Sequence, residues 1–132
     1  MIRRLASLVL LVVAVVTLTG CMTPEKRARL EKLKQEWQKI PTYPDFKQVD
    51  YDEHVKDYSA LISCFYDSSS YANVKDFYTK ELLSRGWSLD KNEGWFTEAE
   101  GPVTFRKDNY EFVLSSYSFG NPPFLIDLEW SE

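Results

Sequence analysis

Apolar residues fall into three regimes along this chain. From Leu5 to Leu18 they run almost unbroken, from Thr23 to Ile40 they recur every three or four positions, and beyond Pro41 they largely alternate with polar residues. The middle regime predicts a helix. Thr23 can cap it, Pro24 suits the first helical position, and Glu25 complements the positive amino end. Leu30, Leu33, Trp37 and Ile40 then line one face, with Lys, Arg, Gln and Glu around the rest. Pro41 and Pro44 end the helix and mark a domain boundary. The stripe needs cover from its own domain, from lipid headgroups or from a partner helix. It spans under two heptads, too few for a coiled coil.

The third regime predicts mixed α and β structure. Phe46 to Tyr51 reads as a short strand and Tyr58 to Tyr66 as a stronger one, rich in aromatic and branched residues. Asp67-Ser68-Ser69-Ser70 interrupts them, and Ser70 caps a predicted helix from Tyr71 to Arg85. Val74, Phe77, Tyr78 and Leu82 share one face of that helix, and Gly86 supplies the left-handed residue that ends it. Strands follow at Trp87 to Leu89, Trp95 to Thr97, Val103 to Lys107, Tyr110 to Tyr117 and Phe124 to Trp130. A tight turn is expected at Asp108-Asn109, and a bend at Gly120-Asn121-Pro122-Pro123. In the last strand Phe124, Ile126, Leu128 and Trp130 alternate with Leu125, Asp127 and Glu129, so one face is covered and the other wet. The expected fold is α+β: an antiparallel sheet of four to five strands with one helix packed across a face, preceded by an N-terminal stalk helix.

The first regime is different in kind. Its 14 residues follow Arg3 and Arg4 and are too few to cross a bilayer as a helix, which takes about 20. A basic head, a short apolar middle and small residues at the end describe a secretory signal. Leu18-Thr19-Gly20-Cys21 resembles the lipobox of bacterial lipoproteins. The resemblance implies cleavage after residue 20, acylation of Cys21 and lasting attachment to a membrane, because each buried methylene contributes about 0.8 kcal/mol. Together with the boundary at Pro41, it gives three expected segments: a signal peptide over 1–20, the lipidated cysteine and stalk helix over 21–40, and one α+β domain over 41–132. Met22 stands where the family carries an aspartate for inner-membrane retention. A host with two membranes would therefore hold the protein on its outer membrane, facing the periplasm.

Charge is unevenly spread over the 112 residues that follow the signal. They hold 14 basic and 20 acidic residues, a net of −6. Pro24 to Ile40 carries six basic and three acidic residues, a net of +3; Pro41 to Glu132 carries eight and 17, a net of −9. A basic stalk beside anionic lipid with an acidic body beyond it is an electrostatically favourable order. Nucleic acid is excluded as a partner for such a body. A 17-residue helix standing upright would hold the body about 25 Å from the surface.

A second resemblance lies in the body. Ile40-Pro41-Thr42-Tyr43-Pro44, a strand, Ser70 with Val74, then Phe77-Tyr78, Leu82 and Gly86-Trp87 are similar to a domain of small bacterial lipoproteins and secreted proteins of uncharacterised function. The resemblance implies an architecture and brings no catalytic residue with it. Asp45 departs from the pattern, which has Gly after the Tyr-Pro.

Candidate chemistry is sparse. His54 is the single histidine and sits in a polar segment that reads as a loop, without the nitrogen or sulfur ligands zinc requires. With Cys21 taken by lipid, Cys64 has no partner for a disulfide and reads as a small core hydrophobe. No phosphate loop, nucleophile elbow or Ser-x-x-Lys motif occurs. Asp50, Asp52, Glu53 and Asp57 form one carboxylate cluster; Glu93, Glu98 and Glu100 form another. Glycoside hydrolysis would need one member of such a pair to be buried. No cofactor and no metal are expected. All 20 aromatic residues lie from Trp37 onward. Tyr43, Tyr51, Tyr117, Phe119 and Phe124, at strand ends and bends, are the expected interaction surface. The leading reading is a lipid-anchored binding or scaffolding module for another envelope protein. A small-ligand or saccharide binder using the open face of the sheet is the alternative, and a hydrolase with paired carboxylates the remote one.

Overall fold

The computed structural model describes residues 22–68, 70–90, 101–118 and 121–132, with the side chains of Tyr117 and Ser118 excepted. Two helices and six strands follow in the order α1 (Pro24–Lys39), β1 (Lys47–Val55), β2 (Ser59–Asp67), α2 (Tyr71–Ser84), β3 (Ser88–Asp90), β4 (Val103–Lys107), β5 (Tyr110–Ser118) and β6 (Asn121–Ser131). The strands form one sheet in the order β1-β2-β6-β5-β4-β3, and every described pairing is antiparallel. The class is α+β, with six strands in place of the four to five expected. The expected signal over residues 1–20 and the expected lipid acceptor Cys21 lie outside the described residues, as do Phe119, the second carboxylate cluster and the strand expected at Trp95 to Thr97.

Local signals account for most element ends. The Thr23 hydroxyl accepts from Lys26 N at 3.2 Å, and the Ser70 hydroxyl accepts from Asn73 N at 3.4 Å. Gly86, at φ +88°, reverses the chain after α2, and Trp87 N then donates to Leu82 O at 3.0 Å. Asp108, at φ 52°, makes the turn between β4 and β5. The segment Tyr51 to Val55, expected as a loop around His54, belongs to β1 and pairs with β2 through Val55↔Ala60. Its polar composition suits an edge strand, where charge discourages pairing with another chain. Pro122 and Pro123, expected in a bend, are the start of β6. They lie where the β5 pairing is irregular, so their missing N–H groups break no regular ladder.

Both helices pack on the same side of the sheet. Ala60, Ile62, Cys64 and Tyr66 of β2 stand opposite Trp130, Leu128, Ile126 and Phe124 of β6, and all eight are buried. Phe112, Leu114 and Phe105 continue that layer across β5 and β4. From α2, Val74, Tyr78 and Leu82 close over it as expected. Tyr71 joins them, its hydroxyl donating to Gly101 O at 2.8 Å. From α1, Leu33 is fully buried in this same core, with Trp37 and Ile40 packed against it. The predicted stalk is thus a helix laid on the sheet. Its apolar stripe would cost more exposed to water than it does buried on β2 and β6.

Candidate functional site

Side chains alternate across the strands, so the face turned away from the helices is set by the register. Leu61, Ser63 and Phe65 of β2 are paired with Glu129, Asp127 and Leu125 of β6. Beyond β6 stand Glu111 and Val113 of β5, and beyond β2 stand Asp52 and His54 of β1. Among the described residues no helix covers this face. Leu61, Phe65, Leu125 and Val113 are half-buried. Towards β4 the face closes, and Thr104 is buried.

Acidity dominates this face. The Ser63 hydroxyl donates to the Asp127 carboxylate. Glu111 stands directly opposite Glu129, an arrangement of like charges that is unfavourable in a sheet. Arg106 offsets part of it, lying 2.6 Å from Glu111 and 3.1 Å from Asp90. Among the described residues neither Asp127 nor Glu129 forms an ion pair. At the end of the sheet, a cavity of about 240 Å³ is lined by Asp108, Glu111, Glu129 and Glu132 together with Arg106 and Asn109. Arg106 pairs with Glu111 there and Arg29 with Glu132, so the lining keeps a net negative charge carried by Asp108 and Glu129.

The expected site residues are distributed differently. Phe124 is not available as a surface: it is fully buried, with its ring 5.3 Å from that of Tyr71. The strand alternation turns it inward, whatever its closeness to a bend. Tyr43 is half-buried between Phe46 and Phe77, with ring centroids at 5.4 and 5.3 Å. Tyr51 lies under α1 against Trp37, and its hydroxyl donates to Glu53 at 3.0 Å. Burial, and then the bond to and charge of Glu53, push its pKa up to about 12. The side chain of Tyr117 and the whole of Phe119 lie outside the described residues. Among the described residues the aromatic ring that does reach solvent is Tyr58, 73% exposed in the β1–β2 turn.

The strand also splits the first carboxylate cluster. Asp52 points to the open face and bonds His54 at 2.8 Å. Glu53 points to the helix side, 3.5 Å from Lys34, and Asp57 in the turn pairs with Lys26 at 3.2 Å. These groups do not converge as a pair of catalytic carboxylates would. Among the described residues no three His, Cys, Asp or Glu side chains gather as a metal ion would need, and no helix is long and apolar enough to cross a membrane. Cys64 is buried and free, its thiol donating to Asp50 O at 3.3 Å, and burial raises its pKa. That holds it as the unreactive thiol.

Two charged groups were not singled out from the sequence. Glu36 is buried at the carboxyl end of α1, accepting from Lys39 at 3.3 Å and Lys107 at 3.5 Å. Its spacing of three from Leu33 was the available signal, since it places Glu36 on the buried stripe. The acidic trio Glu111, Asp127 and Glu129 was legible only as separate wet positions, because register alone brings two strands together. No protein-family model matches the chain, and neither the search of curated proteins nor that of solved structures found a match.

Proposed function

We propose that this chain is a lipid-anchored envelope module that holds a basic partner protein on the open face of its sheet. One observation carries the reading. Both helices sit on one face, leaving the other with an apolar strip of Leu61, Phe65 and Leu125 beside Asp127, Glu129 and Glu111. Apolar contact supplies area, and Asp127 and Glu129, which form no ion pair among the described residues, select for lysine or arginine while Glu111 is shared with Arg106, the division of labour found across protein interfaces. The lipobox-like Leu18-Thr19-Gly20-Cys21 supports attachment through Cys21, and Met22 supports the outer membrane in a host that has one. With α1 laid on the sheet, Lys26, Arg29, Lys34 and Lys39 pair with Asp57, Glu132, Glu53 and Glu36, so the lipid on Cys21 rather than the charge of α1 holds the body at the bilayer.

A photocrosslinker placed at Leu125 in living cells, followed by mass spectrometry, tests the partner. The expected product is one heterologous protein, lost when Glu129 and Glu111 are replaced by lysine. Crosslinks that persist unchanged in that variant would refute an acid-selected partner. The anchor has its own test: Cys21→Ser should release the protein from the membrane fraction, and unchanged fractionation would refute it.

A further inference from the structure

On the opposite side of the sheet, α1 and α2 do not close against each other. Between them lies a cavity of about 220 Å³, walled by Trp37 and Ile40 of the α1 end, by Tyr78 of α2, and floored by Tyr66, Phe112 and Ile126 of the sheet. It exceeds the roughly 150 Å³ apolar cavity that suffices for benzene. Four aromatic rings line it beside Gln38 and Thr42, so its lining is about half carbon and half polar. The one hydroxyl of interest is that of Tyr78, whose residue is only 2% exposed. Its oxygen accepts from Tyr43 N at 3.3 Å. Among the described residues no acceptor takes its hydrogen. Burial raises its pKa, so that hydrogen stays in place at neutral pH. That donor is unused among the described residues, and the cavity that Tyr78 lines has room for a molecule to accept it.

From these features we infer that the cavity between the helices binds a small uncharged molecule with an aromatic body and one hydrogen-bond acceptor, which receives the Tyr78 hydroxyl proton. An aromatic body would extend the tilted ring pair already present there, Tyr78 with Phe112 at 5.2 Å. A carboxylate is disfavoured in the apolar part of the cavity, where its desolvation would be uncompensated. This site is separate from the acidic face, and the assignment holds whether or not that face has a partner.

The test uses the full chain in lipid nanodiscs and a fluorinated acetophenone followed by fluorine NMR, which separates a protein-bound resonance from molecules dissolved in lipid. Saturable binding at or below millimolar concentration is expected. Ile40→Trp, which fills the cavity from its rim, should abolish the bound signal. Tyr78→Phe keeps the ring and removes the donor. It should weaken the acetophenone by roughly three- to tenfold, while leaving a fluorinated ethylbenzene of the same shape unaffected. The absence of a saturable signal would overturn the proposal, as would a fluorinated benzoate binding more tightly than the ketone. Should Ile40→Trp fail to fold, the comparison of ketone with ethylbenzene in Tyr78→Phe decides alone: equal losses for both ligands would overturn it.

Discussion

The two faces of the sheet are made by alternate residues of the same strands, and they are put to opposite use. On the helix side, Phe105, Phe112, Leu114, Phe124 and Leu128 are fully buried beneath α1 and α2. On the other, Glu111, Val113, Asp127 and Glu129 are their immediate neighbours in sequence and remain half-open. Stability is concentrated on one face, so residues on the other can change with little effect on folding. That separation is what allows an unfavourable pair such as Glu111 opposite Glu129 to persist.

Adjacent substitutions offer the sharpest way to break the comparison. Phe112→Ala removes a fully buried ring that touches Tyr78, Trp87 and Phe105, and should cost about 3–5 kcal/mol in urea unfolding. Val113→Ala, one residue on, should cost about 1 kcal/mol or less. Equal losses at the two positions would mean that the open face is also core.

Alkaline pH should act on the covered face alone. Tyr51, Tyr66, Tyr78 and Tyr110 are all raised above their ordinary value of 10.0, and Cys64 above 9.0, in every case mainly by burial. Each group therefore holds its proton more tightly folded than unfolded. The stability tied to those protons is complete below the ordinary values and is lost as pH rises through the folded ones. Urea midpoints should accordingly be level up to about pH 9 and fall through pH 10 to 12. Tyr51→Phe should soften that fall, and a midpoint that rises with pH in this window would contradict the burial of these groups.

A smaller effect is expected at the link between α2 and β3. Gly86 holds φ +88° with open space where a Cβ would stand, so Gly86→Ala meets backbone strain and no clash. A loss of about 1 kcal/mol in thermal or urea unfolding should follow. A loss of several times that size would mean that the residue is packed. Smallest of all should be the effect of Glu129→Lys, within about 0.5 kcal/mol on unfolding, since it relieves one like-charge contact at a half-open position. The same change should abolish the Leu125 crosslink, which would separate recognition from folding at a single residue.

Legibility in the sequence followed the range of the interaction. The caps at Thr23 and Ser70, the terminus at Gly86 and the alternation from Phe124 to Trp130 rest on contacts within about four residues, and each was readable. The segment around His54 reads as a loop because a polar run carries no strand signal of its own; only pairing with β2 makes it a strand. Phe124 was misplaced for the converse reason. Closeness to a bend suggested exposure, but its register opposite Tyr66 turned the ring inward. For the candidate site, each acidic residue was visible as a wet position and their assembly was not.

By itself, then, the sequence determined the secondary elements, the apolar face of each and the imbalance of charge, because periodicity and capping are local properties of the chain. Tertiary structure alone decided that both helices take the same side of the sheet, that Glu111, Asp127 and Glu129 meet on the other, and that a gap stays open beside Tyr78. Those outcomes depend on which strand pairs with which and in what register, and residues as far apart as Ser63 and Asp127 meet only through that pairing.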